Sequence, residues 1–470
     1  MLNPPESGIV DLLIVLAALT LLMLAAYRGY SVILCAPLAA MGAVFFTDPA
    51  AVAPVFSGVF MERMVGFVKL YFPVFLLGAV FGKLIEMSGF SRAIVQAVMR
   101  IIGPQRAMLA IVLVCALLTY GGVSLFVVVF AVYPFAAEMF RQAAIPKRLM
   151  PATIALGAFT FTMTALPGTP QIQNIIPTTF FDTTSWAAPW LGVIGSVLTL
   201  SFGLVYLEWR RVAAGDEGYG TQLLNEPAVP AGDSNHHPFI ALLPLVVVGV
   251  SNLLFSRWIP FWYPADYAVV LSGLATPVPA NTEQMAAIWA VMAALLAGIA
   301  TVIVFAYRDI AAQFAEGTKS AVSGALLASM NTAAEYGFGG VIAALPGFLL
   351  VSETLRAIPD PLVGEAVAVT VLAGITGSAS GGMSIALAAM SDTFIEGARA
   401  AGISFEVLHR VAAMASGGMD TLPHNGAVIT LLAVTGLSHR QSYGDIFAIT
   451  LISTAMVFAV IAIYYLTGIV

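Results

Sequence analysis

The stretch Thr164-Ala-Leu-Pro-Gly-Thr-Pro-Gln-Ile-Gln-Asn174 places two prolines, a glycine and several amide and hydroxyl side chains between apolar segments. A second stretch, Asp420-Thr-Leu-Pro-His-Asn-Gly426, carries the same Leu-Pro step followed by polar side chains. Proline and glycine interrupt a helix, and the freed backbone groups are costly in hydrocarbon unless they line a cavity or are buried in protein. We call these stretches the first break and the second break, and expect the fold to be organised around them.

Composition places both breaks in a membrane. Of the 470 residues, 60% are hydrophobic and only 9% are charged, whereas a soluble domain carries about 25% charged residues. The chain is therefore predicted to be an all-α integral membrane protein in contact with the lipid bilayer. The net charge of −6 comes without a basic cluster, so no nucleic-acid partner is expected. Cys35 and Cys115 lie in apolar runs without disulfide or metal-site spacing, so we predict packing roles and neither a metal nor a cofactor.

Apolar runs and flanking charges predict the segments of the first half, residues 1–207. The first run follows Glu6 and not a basic region, so a retained span is expected, and Arg28 at its end places the N-terminus outside. The first arm of the hairpin is about 13 residues, roughly 20 Å of helix, which is short for a full crossing. The predicted segments are spans at 9–27, 31–46, 64–87 and 186–207, an interfacial helix at 93–102, a re-entrant hairpin at 107–140 and a broken helix at 151–182.

Residues 208–238 are rich in Gly, Pro, Asp, Glu and Asn, which predicts a flexible cytoplasmic linker. The second half, residues 239–470, repeats the order of the first. Its predicted segments are spans at 239–255, 286–307, 320–335 and 446–465, an interfacial helix at 341–351, a hairpin at 362–395 and a broken helix at 407–437.

The repeated order predicts how the two halves are inserted. Each half crosses the membrane five times, an odd number, so the second half is expected upside down and both termini outside. The first hairpin, with its tip at Tyr120–Gly122, then opens from the cytoplasm, and the second, with its tip at Gly377–Gly382, opens from outside. Two inverted-topology repeats with interrupted helices at matching positions indicate a transporter whose binding site lies where the breaks meet.

The tips and breaks are expected to converge near the bilayer midplane, where helix N-termini attract anions. Their hydroxyl and amide groups suit a small, hydroxylated organic anion. Close helix packing is the alternative role of such small residues. The predicted substrate-binding residues are Gly121, Gly122, Ser124, Thr169, Gln171, Gln173, Asn174, Ser378, Ser380, Gly381, Gly382, Thr421, His424 and Asn425.

Charge narrows the expected substrate and its coupling ion. No arginine or lysine falls in a tip or break, so a multiply charged anion would be left uncompensated and a monocarboxylate is favoured. Asp420 and His424 are the ionisable residues within a break, which predicts that one of them carries a coupling proton. The alternative is that His424 hydrogen-bonds the substrate and Asp420 caps a half-helix. Sodium, held by carbonyls and Asn174 or Asn425, is the competing coupling ion.

One known family has similar segments. Gly121-Gly-Val-Ser-Leu-Phe-Val-Val-Val-Phe130 and Thr164-Ala-Leu-Pro-Gly-Thr-Pro-Gln-Ile-Gln-Asn-Ile-Ile-Pro177 resemble the GntP-type gluconate permeases of the ion transporter superfamily. The resemblance implies proton-coupled symport of gluconate, related sugar acids or short hydroxy acids such as 3-hydroxybutyrate across the bacterial inner membrane. It also implies a homodimer with a fixed scaffold and mobile transport domains, which is an elevator mechanism. The tips here are less polar (Val123, Leu125, Met383, Ile385), which favours a smaller, more apolar hydroxy acid.

Other functional classes find less support in the sequence. An intramembrane enzyme would need a motif such as His-Glu-x-x-His or Gly-x-Ser-x-Gly, and the chain has neither. A primary pump would need a nucleotide-binding segment, which is also missing from the sequence. A passive channel has no need of two opposed hairpins around a central site. A sodium-coupled carboxylate transporter is the nearest alternative.

Overall fold

The computed structural model describes residues 4–28, 30–123, 125–220, 236–264, 267–273, 276–350, 358–423 and 425–470. These residues are almost entirely helical. The exception is a short antiparallel pairing of Ala268–Val269 (β1) with Val278–Pro279 (β2), which the all-α prediction did not include. By length and composition, five helical segments of the described chain can span a membrane: Pro49–Met87, Pro189–Ala213, Pro238–Trp262, Met285–Ala344 and His439–Thr467.

The helices of the first half follow the predicted order and are longer than expected at several ends. They are α1 (Pro4–Tyr27), α2 (Val32–Thr47), α3 (Val52–Val55), α4 (Met61–Met87), α5 (Phe90–Ile102), α6 (Ala107–Tyr120), α7 (Leu125–Gln142), α8 (Met150–Ala158), α9 (Phe161–Thr164), α10 (Ile176–Phe181) and α11 (Pro189–Ala213). Shorter helical turns are Pro49–Ala51, Phe56–Phe60, Pro104–Arg106, Lys147–Leu149, Ile172–Asn174 and Gly215–Glu217.

Within the described residues, the helices of the second half begin at Pro238. They are α12 (Pro238–Trp262), α13 (Thr282–Ile310), α14 (Phe314–Ala344), α15 (Pro361–Thr376), α16 (Ala379–Ala401), α17 (Phe405–Ser416), α18 (Gly426–Thr435) and α19 (His439–Thr467), with a 3-10 turn at Ala311–Gln313.

Each hairpin turns where a local signal stops one helix and starts the next. In the first hairpin (α6–α7), Gly122 adopts a φ of 92°, a left-handed conformation that glycine reaches without steric cost. In the second hairpin (α15–α16), Ser378 accepts a hydrogen bond from Gly381 N and so caps α16. The arms of the second hairpin touch at Gly382, where a Cβ would lie 2.2 Å from Ala373 Cα.

Both broken helices are present, with boundaries that differ from the prediction. The first is interrupted earlier than expected, at Phe159 and Thr160, because the helix ends at Ala158 and resumes only as the one-turn helix α9. The chain then continues through the first break to the Ile172–Asn174 turn and α10. The second ends at Ser416 and restarts at Gly426, where Asn425 caps α18 by accepting hydrogen bonds from two backbone amides.

Three predicted boundaries are wrong. Residues 208–213 continue α11 and Pro238 begins α12, so they do not belong to a linker. Val341–Ala344 form the last turn of α14, and the helical residues that follow begin only after Leu345. The second tip is also shorter than expected, since α16 begins at Ala379 and its first turn includes Ser380–Gly382. In the first case the added residues of α11 are mostly exposed, whereas residues 341–342 of α14 and 381–382 of α16 are buried.

A cluster of charges joins one end of three elements. Asp445 of α19 accepts hydrogen bonds from Arg210 of α11, at 2.5 Å, and from Arg148, at 3.4 Å. Arg148 also pairs with Glu217 at 2.9 Å, and the hydrogen-bonded Glu217 carboxylate raises the pKa of Arg148. Arg148 and Arg210 therefore lie at the same end of the bundle.

The helices sort into two groups by their packing. The long helices α4 and α14 pack against each other, as do α12 and α13, and α2 packs against α1 and α14. The hairpins pack on the broken helices: α6 contacts α8, and α15 contacts α17. The short helices after the breaks cross over, since α10 contacts α16 and α18 contacts α7. Cys35 and Cys115 are free thiols, partly and fully buried within this packing.

Candidate functional site

Asn174 holds the first break in shape. Its Nδ2 donates to the carbonyl of Thr169, at 3.0 Å, and to that of Ser185, at 2.7 Å. The Ser185 carbonyl also accepts from Gly168 N at 2.8 Å. From α12, Asn252 Nδ2 donates to the Gly168 carbonyl at 3.0 Å. Backbone groups that proline and glycine freed from helical bonding thus find buried side-chain partners.

A cation reaches the first break from the second half of the chain. Arg410 of α17 is fully buried, and its guanidinium donates to the carbonyl of Ala187, at 2.6 and 3.1 Å, and to that of Thr164, at 3.3 Å. It also donates to Asn174 Oδ1 at 3.0 Å. No arginine or lysine lies within a break, as the sequence analysis states, but α17 brings Arg410 into contact with the first break.

His409 is the neighbour of Arg410 in sequence and serves the same break. Its Nε2 lies 3.2 Å from Asn174 Oδ1, and its Nδ1 lies 2.7 Å from Thr183 Oγ1. Since an amide oxygen can only accept, His409 Nε2 carries the hydrogen of the first bond. Asn174 Oδ1 is therefore occupied by two donors from α17.

The tip of the first hairpin is fastened to the first break. Gln171 Nε2 donates to the Thr119 carbonyl at 2.7 Å, and Tyr120 Oη donates to the Pro167 carbonyl at 3.0 Å. A Cβ on Gly122 would lie 3.1 Å from Pro170 Cγ, so the tip touches the break directly. These contacts bring together residues that the sequence placed in one site.

The residues that lead into the second break contact the first break, and the second break itself contacts the second tip. A Cβ on Gly417, just after α17, would lie 2.9 Å from Thr164 Cγ2 at the start of the first break. Asn425 Nδ2 donates to the Gly377 carbonyl of the second tip at 2.7 Å. Thr421 shares a hydrogen bond with Thr450 of α19. These contacts join neighbouring tips and breaks, and their convergence near the bilayer midplane stays a prediction.

The N-terminus of α16 faces the long helix α14. Thr332 Oγ1 lies 3.4 Å from Ser380 Oγ. A Cβ on Gly381 would lie 1.7 Å from Glu335 Oε2 and 3.0 Å from Ser378 Oγ. Glu335 is 4% exposed, so a buried carboxyl rests directly against the first turn of α16. This is the position at which the unpaired amides of a helix start attract an anion.

Several buried polar atoms of this region have no hydrogen-bond partner among the described residues. The turn Ile172–Asn174 packs against α16 and α17, so the first break and the second hairpin share this interior. Buried groups of this kind are candidates for contact with a polar ligand. The atoms in the breaks, the tips and α14 are Thr119 Oγ1, Thr169 Oγ1, Gln173 Oε1, Ser329 Oγ, Glu335 Oε2, Ser384 Oγ and Asp420 Oδ1.

Some predicted site residues have a packing role. Gly121 lies against α12, since its Cβ would be 2.1 Å from Leu245 Cδ2. Gly382 lets the arms of the second hairpin touch, and Ile385, expected near the second tip, packs on Gly339 of α14. Ser124 and His424 lie outside the described residues. Within the described ranges there is no group of three or more His, Cys, Asp or Glu side chains that could hold a metal ion.

The sequence analysis missed the ionisable residues that lie in regular helix. His409 and Arg410 interrupt the apolar run of α17, and Glu335 and Glu365 interrupt those of α14 and α15. Glu365 is fully buried, and neither of its oxygens has a partner among the described residues. A charged residue inside an apolar span is itself a signal of function. These four residues lie outside the breaks and tips, so the predicted site did not include them.

A cavity of about 490 Å³ opens elsewhere, at the base of the first hairpin. Its lining includes Arg106 before α6, Gln142 at the end of α7, and Glu208 and Arg211 of α11. Those residues stand at the opposite end of the hairpin arms from the tip at Gly122. The cavity is therefore separate from the junction of breaks and tips.

Similarity to known proteins was found at the level of sequence and of fold. The chain is 59% identical over 471 residues to the protein named uncharacterized transporter YxjC of Bacillus subtilis (strain 168). The aligned region covers 98% of this chain and 100% of the relative. No protein-family model matches the chain.

Among solved structures, Neisseria gonorrhoeae MtrF, described with a class of antimetabolite efflux pumps, has a TM-score of 0.54, 13% identity, and coverage of 89% of this chain and 84% of that one. The Alcanivorax borkumensis YdaH transporter has a TM-score of 0.49 and 13% identity over 89% of this chain and 90% of that one. At this identity the likeness to MtrF concerns the fold alone.

Proposed function

Because the chain belongs to the transporter family of Bacillus subtilis YxjC, and is therefore a multi-pass membrane transporter and not an enzyme, we propose that it carries a small organic monoanion by proton-coupled symport. The substrates we propose are a short hydroxy acid such as 3-hydroxybutyrate or a gluconate-like sugar acid. The proposal includes the resemblance to GntP-type permeases, a homodimer and an inner-membrane location.

The observation that carries the proposal is the buried N-terminus of α16. Ser378 and Ser380 present hydroxyl groups there, and the first backbone amides of the helix have no partner within it. A carboxylate at such a helix start is stabilised by amide hydrogen bonds and by the partial positive charge. Gln173 and Thr169 offer buried polar atoms in the adjoining first break, which suit the hydroxyl group of the same substrate.

The geometry favours a proton over sodium as the coupling ion. Sodium, the competing coupling ion, would be held by backbone carbonyls and by the side-chain oxygen of Asn174 or Asn425. Asn174 Oδ1 accepts from the Arg410 guanidinium at 3.0 Å, and a cation at that distance repels a second one. Asn425 Oδ1 accepts from two backbone amides at the start of α18. Asp420, with a buried unpartnered Oδ1, remains a candidate for the proton, as does His424.

The packing supports two inverted repeats that move as an elevator. Each short helix after a break packs on the second arm of the opposite hairpin, α10 on α16 and α18 on α7. Tyr133 of α7 donates to the Thr435 carbonyl of α18 at 3.3 Å. Such an exchange of partners is expected when the halves are related by a two-fold axis in the membrane plane. We assign the hairpins and broken helices to the transport domain, and α2, α4, α12, α13 and α14 to the scaffold.

The test is uptake into proteoliposomes that contain the purified protein. Labelled 3-hydroxybutyrate, gluconate and a dicarboxylate are offered under an imposed proton gradient and then under a sodium gradient, with protein-free liposomes as the control. We expect saturable accumulation of a monoanion driven by the proton gradient and abolished by a protonophore. Accumulation driven by sodium alone would contradict proton coupling, and preference for the dicarboxylate would contradict the monoanion.

A further inference from the structure

We propose that Glu335 occupies the substrate's own anion position at the N-terminus of α16, and that it takes up the coupling proton when the substrate carboxylate replaces it there. The inference rests on the proposed function and adds the residue that links proton to substrate. It differs from the sequence-based hypothesis, which gave that role to Asp420 or His424.

The Glu335 carboxyl lies in direct contact with the start of α16. A Cβ on Gly381 would lie 1.7 Å from Glu335 Oε2 and 2.5 Å from Glu335 Cδ, so only glycine leaves room for the carboxyl against the backbone. The Ser378 side chain, which caps the helix, interacts with the same carboxyl. Oε2 is buried and has no hydrogen-bond partner in the described chain, although it is aimed at the first turn.

The packing of α14 against α16 holds the Glu335 carboxyl in place. α14 and α16 run side by side in the same direction, since Thr332 faces Ser380, Glu335 faces Gly381, and Gly339 faces Ile385. Glu335 lies near the middle of this shared face. Because α14 also packs along α4 and α2, the scaffold presents the carboxyl to a helix of the proposed transport domain.

Few charged groups of the described chain surround the Glu335 carboxyl. The first twelve residues of α16, 379–390, and all of α2 carry no charged side chain. From α4, Arg63 packs on Gly340 and interacts with Tyr336, the residue after Glu335. Tyr71 of α4 is bonded to Thr179 and to the Ile176 carbonyl. The partial charge of one helix start is about half a unit, enough to favour one carboxylate and not two.

Because the helix start accommodates one negative charge, binding of the substrate anion is coupled to binding of a proton. With the site empty, the Glu335 carboxylate supplies the single negative charge at α16. When a substrate carboxylate enters, Glu335 binds one proton, becomes a neutral carboxylic acid and leaves the helix start. One proton and one monoanion therefore enter together, and release of the substrate returns both. No bond other than the O–H bond of Glu335 forms or breaks.

The other buried carboxyls do not face a helix start in this way. Asp420 follows the C-terminal end of α17, where the helix carries partial negative charge, and so it cannot exchange places with an anion. Glu365 lies inside α15, one turn beyond its start, and Asp360 already caps that helix. Glu365 provides the matched control, since it is a carboxyl with buried unpartnered oxygens within the described chain, and Asp420 represents the competing assignment.

The experiment compares Glu335→Gln, Asp420→Asn, Glu365→Gln and the wild type in proteoliposomes. Two assays are used: exchange of labelled for unlabelled 3-hydroxybutyrate at equal pH on both sides, and accumulation driven by a proton gradient. Glutamine resembles the protonated acid, so Glu335→Gln is expected to retain exchange while its proton-driven accumulation falls by at least about tenfold. Glu365→Gln is expected to retain both activities, and Asp420→Asn tests the competing assignment of the proton to Asp420.

The pH dependence of exchange supplies a second readout. As pH rises, deprotonated Glu335 competes with the substrate, so the wild-type KM for exchange is expected to rise with pH. In Glu335→Gln the KM is expected to be independent of pH across the same range. If Glu335→Gln does not give a monodisperse protein, Glu335→Asp decides, because its shorter side chain withdraws from Gly381 and is expected to weaken the pH dependence of KM.

The outcomes separate this inference from the proposed function. If the proton gradient drives equal accumulation by the wild type and by Glu335→Gln, this result would overturn the inference and leave the proposed function intact. So would a folded Glu335→Gln that has lost exchange, an unchanged pH dependence in Glu335→Asp, or loss of coupling in Asp420→Asn alone. A wild type that exchanges none of the acids would overturn the proposed function, and the inference with it.

Discussion

The first break and the second hairpin tip are both polar interruptions among apolar helices, but their polar groups are treated differently. In the first break the carbonyls of Thr169, Thr164 and Gly168 are bonded by Asn174, Arg410 and Asn252, which come from three separate elements. At the second tip, the Glu335 carboxyl faces a helix start with one oxygen unpartnered within the described chain. The backbone of the first region is held by these bonds, although Thr169 and Gln173 keep buried side-chain atoms available, whereas the second region faces a ligand with an unpaired helix start. Substitutions in each region should therefore affect different properties, stability in one and transport in the other.

The largest loss of stability is expected from Arg410→Met. Methionine fills the space of the stem but leaves the Ala187 and Thr164 carbonyls and Asn174 Oδ1 without this donor in a buried place. We expect a loss of about 4 kcal/mol of unfolding free energy, from buried acceptors left unpaired. Thermal unfolding of the detergent-solubilised protein measures it. Arg399→Met is the control, since Arg399 is exposed at the end of α16. Equal thermal stability of the two variants would remove the supporting role of Arg410.

An intermediate effect is expected from the asparagines of the two breaks. Asn174→Ala removes two donors to carbonyls and the acceptor for Arg410 and His409, so we expect a loss of about 2 kcal/mol. Asn425→Ala removes the cap of α18 and the bond to Gly377, and about 1 kcal/mol is expected from the cap. The same unfolding assay compares them. A greater loss from Asn425→Ala would reverse the assignment of support to the first break.

The smallest change in stability, with a distinct change in transport, is expected from Ser378→Ala. The variant loses the cap of α16, which contributes about 1 kcal/mol or less. It also loses a hydroxyl beside the proposed carboxylate position, so the KM for 3-hydroxybutyrate uptake is expected to rise about tenfold with a similar maximal rate. Ser196→Ala is the control, because Ser196 bonds only the Gly192 carbonyl within its own helix. An unchanged KM in Ser378→Ala would place the substrate carboxylate elsewhere.

Much of this architecture follows from local sequence. The apolar composition predicted a helical membrane protein, and the family of YxjC confirms a transporter. The hairpin arms at 107–140 and 362–395 were found because glycine and serine stop one helix and cap the next within a few residues. The interruption at Phe159 and Thr160 was missed because neither residue breaks a helix by itself. α14 was predicted too short because its glycines and polar residues read as a helix end, whereas α4 and α16 cover them.

The site was predictable in part, for the same physical reason. Gln171 and Asn425 were expected in it because they follow a proline within a break, where free backbone groups need side-chain partners. Arg410 and Glu335 were not, because the first break that Arg410 bonds and the start of α16 that Glu335 faces are distant from them in sequence. Arg410 bonds Thr164 across 246 residues, and no local pattern announces such a contact.

Proline, glycine and the apolar runs determined by themselves where this chain crosses, turns and breaks, because those preferences act over a few residues. Only the tertiary structure decided which freed carbonyls are satisfied and which helix start faces a carboxyl. A buried polar group without a hydrogen bond is costly, so it is bonded within the protein or by a ligand. Helices from opposite halves of the chain supply the partners within the protein. The distinction between supporting break and receptive tip is therefore a property of the packed molecule.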